Sequence, residues 1–256
     1  RHAAVSGVAL GLLAALLALG TPAPGLAMAL CGLWAGTPLW IWWASRPQAE
    51  RAAPALSATD QLYLRGVARD TWRLFEEHVN ADSHHLPPDN VQTVPTTMVA
   101  QRTSPTNIGL YLLSLACAQR FGWISVEQWL TRSERTLATL GRLQRHRGHF
   151  MNWYDTRTLA TLSPAYVSTV DSGNLCGHLV AVAGACQERL ADPGLRQGAA
   201  IDARDKGPDD PATERRLARL AAHCLRLADE PEFGFLMHPR RKLFHIGYRL
   251  VEDRLD

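Results

Sequence analysis

After residue 57 the chain alternates between helical runs that carry a charged face and runs that carry none, and this alternation limits the folds open to it. Asp60 to about Val79 has Arg65, Arg69, Arg73 and Glu77 on one side and Tyr63, Val67, Leu74, Phe75 and His78 on the other, which predicts a surface helix with one buried stripe. Thr103-Ser104-Pro105-Thr106-Asn107 reads as a cap with proline near the first turn. It opens an uncharged helix over Asn107–Arg120 that must be covered on all sides. Ser125 and Gln128 form a capping box for a half-charged helix reaching about Arg145, with Val126, Trp129, Leu130, Leu137, Leu140 and Leu143 inward. Asp171 or Ser172 then starts a nearly uncharged helix through Leu175, Leu179, Val182, Ala183 and Cys186. Ala212 to Asp229 is amphipathic again. Uncharged helices enclosed by half-wetted ones are the pattern of an α/α-toroid, so the chain is read as all-α.

The long polar connections (80–106 and 147–171) both run from an outer helix into an inner one, which puts them at one mouth of such a ring. The tail from Glu232 to Val251, with Phe233, Phe235, Leu243, Phe244, Ile246 and Tyr248 around His238-Pro239-Arg240-Arg241, predicts a short β-hairpin. Asp192 to Pro211 reads as a mobile connection.

The stretch His146–Asn174 is too polar for core and too aromatic for a spacer. Trp153 and Tyr154 stand beside Asn152 and Asp155, and Ser168, Thr169, Asp171, Ser172 and Asn174 follow. Flat rings next to short carboxylates and amides suit a carbohydrate, whose faces stack and whose hydroxyls take paired hydrogen bonds. The bland alternative is a capped loop over packed aromatics. Arg102, Thr106 and Asn107 divide in the same way between sugar contacts and helix capping. Asp155 and Asp171 are weak candidates for acid/base carboxylates. His146 and His149, three apart on a helix end, could ligate a metal, but no third ligand accompanies them, and a surface or capping role is preferred. No metal or cofactor is expected, since G-x-G-x-x-G, P-loop and nucleophile-elbow patterns are all missing from the sequence.

Two runs without charge, Ala3 to Gly20 and Gly25 to Ala44, flank the breaker Thr21-Pro22-Ala23-Pro24. Each approaches the roughly 20 residues of a bilayer helix, and the second ends in Trp40, Trp42 and Trp43. Residues 1–45 are therefore expected to form a transmembrane helical hairpin, followed by a linker (46–59) and the helical domain (60–256). Arg1, Arg46 and Arg51 outside an uncharged turn orient that domain to the cytoplasm, with the lipid bilayer as partner. The competing reading is a secreted protein cleaved after Ala27-Met28-Ala29. A net charge of +3, from 27 basic against 24 acidic side chains, gives no field for nucleic acid. The five cysteines lie in apolar surroundings without C-x-x-C and read as small buried hydrophobes.

Longer segments carry a resemblance. RTSPTNIGLYLLSLA (102–116), RHRGHFMNWYDTRTL (145–159), YVSTVDSGNLCGHL (166–179) and RKLFHIGYRLVEDRLD (241–256) are similar to the central, glucoamylase-like domain of cyclic β-1,2-glucan synthases, as is DQLYLRGVARDTWRLFEEHV (60–79). The resemblance implies an (α/α)6 toroid, incomplete here, that acts on linear β-1,2-glucan by transglycosylation and closes it into rings. It further implies a bacterial inner-membrane protein whose other parts are a glycosyltransferase and a phosphorylase-like domain. Two departures stand out: the connection from Ala191 to Ala212 is shorter than the family's, and the catalytic carboxylates are expected beyond Asp256. Glycoside chemistry of the retaining kind needs two carboxyl groups roughly 5–5.5 Å apart. A fragment with half a site should not turn over. The alternatives are a β-glucan hydrolase using Asp155 and Asp171, and an inactive remnant of a truncated gene.

Overall fold

The computed structural model describes residues 2–46, 56–192 and 211–256. Most of the expected linker and of the 192–211 connection lies outside the described residues. The chain divides into two compact units, Arg1–Gln61 and Leu62–Asp256.

The first unit holds α1 (His2–Ala18), α2 (Pro24–Ala35) and α3 (Thr37–Ala44). The proline-bounded breaker ends α1 as expected, with Pro24 in the first turn of α2. The second apolar run is not one helix, however: it bends by 44° between α2 and α3, at Gly36. Among the described residues no single helix is long and apolar enough to cross a membrane, and α2 and α3 reach that length only as a bent pair. Ala9, Ala27 and Cys31 are buried here, and Ser6 Oγ donates to the Ala35 carbonyl at 2.8 Å.

The second unit is helical: α4 (Ala58–His78, which begins at the end of the first unit), α5 (Pro105–Arg120), α6 (Val126–Leu140), α7 (Thr169–Ala191) and α8 (Pro211–Asp229), with short strands of two or three residues, of which β1 (Val91–Gln92) and β2 (Met98–Val99) come first. In α4 Trp72 is buried and Phe75 half-buried against the core, with Val79 buried just past the helix end, whereas Tyr63 and Val67 are exposed. The expected stripe therefore holds over the second half of the helix, at Leu74, Phe75 and His78, and fails over the first, at Tyr63 and Val67. Phe75 lies 5.4 Å from Tyr111 of α5, ring to ring, and Tyr111, Ile108, Leu112 and Leu115 carry the core onward to Trp129 and Leu130 of α6. Helix α6 starts on the expected Ser125–Gln128 capping box, complete in both directions, and ends at Leu140.

Helix α7 packs against both α5 and α8. The expectation of full cover is not met among the described residues: Leu110 and Cys117 on α5 and Val180 on α7 are exposed.

The tail does turn back on itself, at β8 (Gly247–Arg249) and β9 (Arg254–Leu255), but β8 also pairs antiparallel with β7 (Tyr166–Ser168) in a three-stranded sheet. Phe233–Leu236 is a 3-10 turn rather than a strand. His146 and His149 face each other across a two-residue hairpin turn of β4 (Arg145–His146) and β5 (His149–Phe150), not on a helix end. Arg147 and Gly148 both adopt positive φ there, 48° and 80°. A side chain at Gly148 would run into the Glu230 carbonyl. His149 is fully buried among Phe233 and Phe235, and its Nδ1 lies 2.8 Å from Ser172 Oγ.

Candidate carbohydrate site at two helix N-termini

Two helices begin side by side. Ser104 caps α5 by accepting from the Asn107 amide at 3.3 Å, and Ser168 caps α7 by accepting from the Asp171 amide at 3.1 Å. The α7 cap is therefore Ser168, not Asp171 or Ser172. Asp171 falls in the first turn, where a carboxylate meets the positive end of the helix dipole. Its Oδ1 accepts from Thr106 Oγ1 of α5 at 2.6 Å, so one side-chain bond joins the two N-termini. Asn174, one turn along α7, donates to the same Thr106 oxygen at 3.2 Å.

The connecting segments bring the rest. β3 (Arg102–Thr103) pairs antiparallel with β6 (Tyr154–Asp155), setting Arg102 opposite Asp155 and Thr103 opposite Tyr154. Period-two alternation then sends Tyr154 inward and leaves Arg102 exposed. Asn152, with its amide in the orientation that satisfies both neighbours, donates to Asp171 Oδ2 at 2.8 Å and accepts from the Trp153 indole N–H at 2.8 Å. The Arg102 guanidinium lies over the Trp153 ring, 4.8 Å from its centre. Its Nε and Nη2 donate to Asp89 Oδ2 at 3.0 and 2.9 Å, and Asn107 donates to Asp89 Oδ1 at 3.4 Å. The side chains thus form a closed circuit, Asp171–Asn152–Trp153–Arg102–Asp89–Asn107, completed by the covalent step to Thr106.

Of the residues singled out from sequence, Arg102, Thr106, Asn107, Asn152, Trp153, Asp171 and Asn174 meet at this mouth. Tyr154 does not offer a face: its relative exposure is 0%, and its hydroxyl is taken up by the Gln144 carbonyl at 2.5 Å and the Met151 amide at 2.6 Å. Burial pushes that hydroxyl's pKa upward. Ser172 is likewise buried, donating to the Ser168 carbonyl at 2.8 Å and touching His149. Asp155 closes its own turn, with Oδ1 accepting from the Arg157 and Thr158 amides at 2.9 and 2.8 Å. The Thr158 amide is the main cause holding its carboxyl below the usual range. That shift runs the wrong way for a general acid. Asp171 has both oxygens engaged by Thr106 and Asn152. Among the described residues no group of three His, Cys, Asp or Glu side chains could hold a metal ion.

Asp89 escaped the sequence reading. Its only local signal is its place after Leu86-Pro87-Pro88 in a long connection. Its partners lie 13 and 18 positions away on a strand and a helix start, beyond the reach of any short pattern.

Comparison with known proteins bears on this arrangement. The chain is 45% identical over 219 residues to the cyclic β-(1,2)-glucan synthase NdvB of Rhizobium meliloti (strain 1021), a match covering 81% of this chain. The resemblance to cyclic β-1,2-glucan synthases holds. The matched stretch is 8% of that synthase's length, so this chain corresponds to a small part of it. No protein-family model matches the chain. Among solved structures, a Bacteroides fragilis NCTC 9343 protein described as a glucoamylase aligns with a TM-score of 0.56 at 16% identity, covering 80% of this chain and 43% of its own. The endo-β-1,2-glucanase of Chitinophaga pinensis, solved with sophorotriose and glucose, aligns with a TM-score of 0.53 at 16% identity, over 78% of this chain and 42% of its own. At such identities the likeness is one of fold. The helical unit has a glucoamylase-like fold.

Proposed function

We propose that this chain is the part of a membrane-bound cyclic β-1,2-glucan synthase that binds linear β-1,2-glucan for transglycosylation and ring closure. The observation that carries the reading is the closed circuit at the shared N-terminal end of α5 and α7. It sets a cation, an indole, two amides and two carboxylates around one mouth. A sugar presents closely spaced hydroxyls, and this set places charged and amide donors and acceptors around them. Arg102, Thr106, Asn107, Asn152, Trp153, Asp171 and Asn174 are the contacts, while Tyr154, Asp155 and Ser172 hold the loop and helix that carry them. The chemical step is not given to Asp155, whose Oδ1 closes its own turn, or to Asp171, whose two oxygens accept from Thr106 and Asn152. The glycosyltransferase and phosphorylase-like parts of a complete synthase are the partners this reading implies.

The first unit supports a membrane anchor in the bacterial inner membrane, with the second unit in the cytoplasm. Small residues lie between its helices, while Leu26, Leu30 and Leu33 of α2 face outward, Leu33 at 64% exposure. That is the inverse of a water-soluble helix pair and the pattern of helices that meet lipid. Trp40, Trp42 and Trp43 on α3 suit a headgroup boundary, and the Arg46 guanidinium lies 3.8 Å from the Trp42 ring centre.

Isothermal titration of the 256-residue chain in detergent with sophorotetraose tests the binding reading. Saturable heat is expected with the β-1,2-linked tetrasaccharide and little or none with the β-1,4-linked one, and Asp171→Ala should weaken binding by about tenfold or more. Absence of binding, or equal binding to both tetrasaccharides, contradicts it.

A further inference from the structure

Asp89 sits where its carboxylate governs a residue that faces a ligand. The loop carrying it is fixed from behind. Leu86, Pro87 and Pro88 are buried, and Thr136 and Thr139 of α6 donate to the carbonyls of His85 and His84 at 2.9 and 2.7 Å. The Asp89 amide donates to Ala100 O and the Ala100 amide to Asn90 O, at 3.3 and 3.0 Å, which ties the backbone to the strand leading into Arg102. The side chain is 18% exposed, against 51% for Arg102. Two guanidinium nitrogens, Nε and Nη2, converge on Asp89 Oδ2, which also accepts from Asn90 at 2.9 Å.

The consequence for Arg102 is specific. One edge of its guanidinium is occupied by Asp89, and one face is occupied by the Trp153 indole. Nη1 is left without a protein hydrogen-bond partner among the described residues, on a half-exposed side chain. An arginine free to rotate would lose side-chain rotamer entropy on gripping a ligand. Here the side chain is already held, so a hydroxyl that reaches Nη1 meets a charged donor with little left to order. The indole face that the sequence offers as a stacking platform is capped by the guanidinium. What the mouth presents at this point is the cation.

We propose that Asp89 is a positioning residue for glucan recognition. It fixes Arg102 over Trp153 so that Nη1 donates to a hydroxyl of a bound glucose unit, and it acts through Arg102 rather than by touching the sugar. The proposal rests on the reading that this mouth binds β-1,2-glucan. It also separates binding from folding. An ion pair this exposed on one side adds little to stability, so its removal should be felt by the ligand and hardly by the fold.

A double-substitution cycle on the 256-residue chain decides it, with sophorotetraose affinity measured by calorimetry and melting temperature measured alongside. Asp89→Asn and Arg102→Gln should each lower affinity about tenfold, and the double variant should be no weaker than Arg102→Gln alone. Melting temperatures should stay within about 2 °C of the parent. Losses that multiply to about a hundredfold in the double variant would overturn the proposal, since Asp89 would then act independently of Arg102. So would Asp89→Asn binding like the parent, or a large melting shift with affinity unchanged. If the parent chain itself fails to bind, the glucan reading falls and this inference with it. If the parent binds and Asp89→Asn is silent, only the assignment of Asp89 falls.

Discussion

Thr106 Oγ1 donates to Asp171 Oδ1 at 2.6 Å, joining residues 65 positions apart at the first turns of two neighbouring helices. That oxygen also accepts from Asn174, so a single hydroxyl links α5 to two successive turns of α7. Thr106→Val keeps the shape and removes the link, leaving a charged acceptor and an amide short of a partner. A loss of about 1–2 kcal/mol in urea unfolding is expected. A change under about 0.5 kcal/mol would mean that the bond does not hold the two N-termini together.

The two serine caps should behave alike. Ser104→Ala and Ser168→Ala each unpair one amide at a helix start, Asn107 and Asp171 respectively, and each should cost about 1 kcal/mol. Ser168→Asp, which restores an acceptor, should recover most of the loss. Equal stability of Ser168→Ala and the parent would refute the cap assignment.

Acid should loosen the tail from the site. Burial lowers the pKa of His149 below the usual 6.5; the Glu232 backbone acts in the opposite sense, and neighbouring His146 lowers it further. Because the folded state binds the proton more weakly than the unfolded chain, the stability tied to neutral His149 is present above 6.5 and is lost as pH falls below it. His85, His178 and His223 are also lowered, chiefly by burial, and add to the same slope. His149→Phe keeps an aromatic ring against Phe233 and Phe235, and Ser172 still has the Ser168 carbonyl. It should flatten the fall in melting temperature between about pH 7 and 5.5. An unchanged slope would show that His149 is not among the groups responsible.

Much of the scaffold was legible because helices announce themselves locally. The Ser125–Gln128 box and the proline at the α5 start read correctly from spacing alone. The clustering of Arg102, Asn107, Asn152 and Asp171 was legible because both loops precede uncharged helices and so share an end. What failed was anything decided by long-range packing. Tyr154 and Trp153 are adjacent aromatics, and only the pairing of Thr103 with Tyr154 decides which of them faces inward. Tyr63 and Trp72 both lie on α4, and periodicity cannot say that the core meets only its second half. The β7–β8 pairing joins segments about 80 positions apart and has no signature in either.

The apolar first unit yields a separate prediction. In flotation with phosphatidylcholine vesicles the chain should rise with lipid, and placing arginine at both Leu30 and Leu33 should reduce the floating fraction several-fold, given a cost of about 2.5–3.5 kcal/mol per arginine at mid-bilayer. Equal flotation of the two proteins would remove the membrane reading of α2.

The central claim is that sugar meets this chain at the joined N-termini of α5 and α7. Amide hydrogen exchange with and without saturating sophorotetraose tests it most directly. The account predicts slowed exchange confined to segments 89–90, 102–107, 152–155 and 168–174. No slowing in those segments, or slowing centred on α6 or α8 instead, would contradict it.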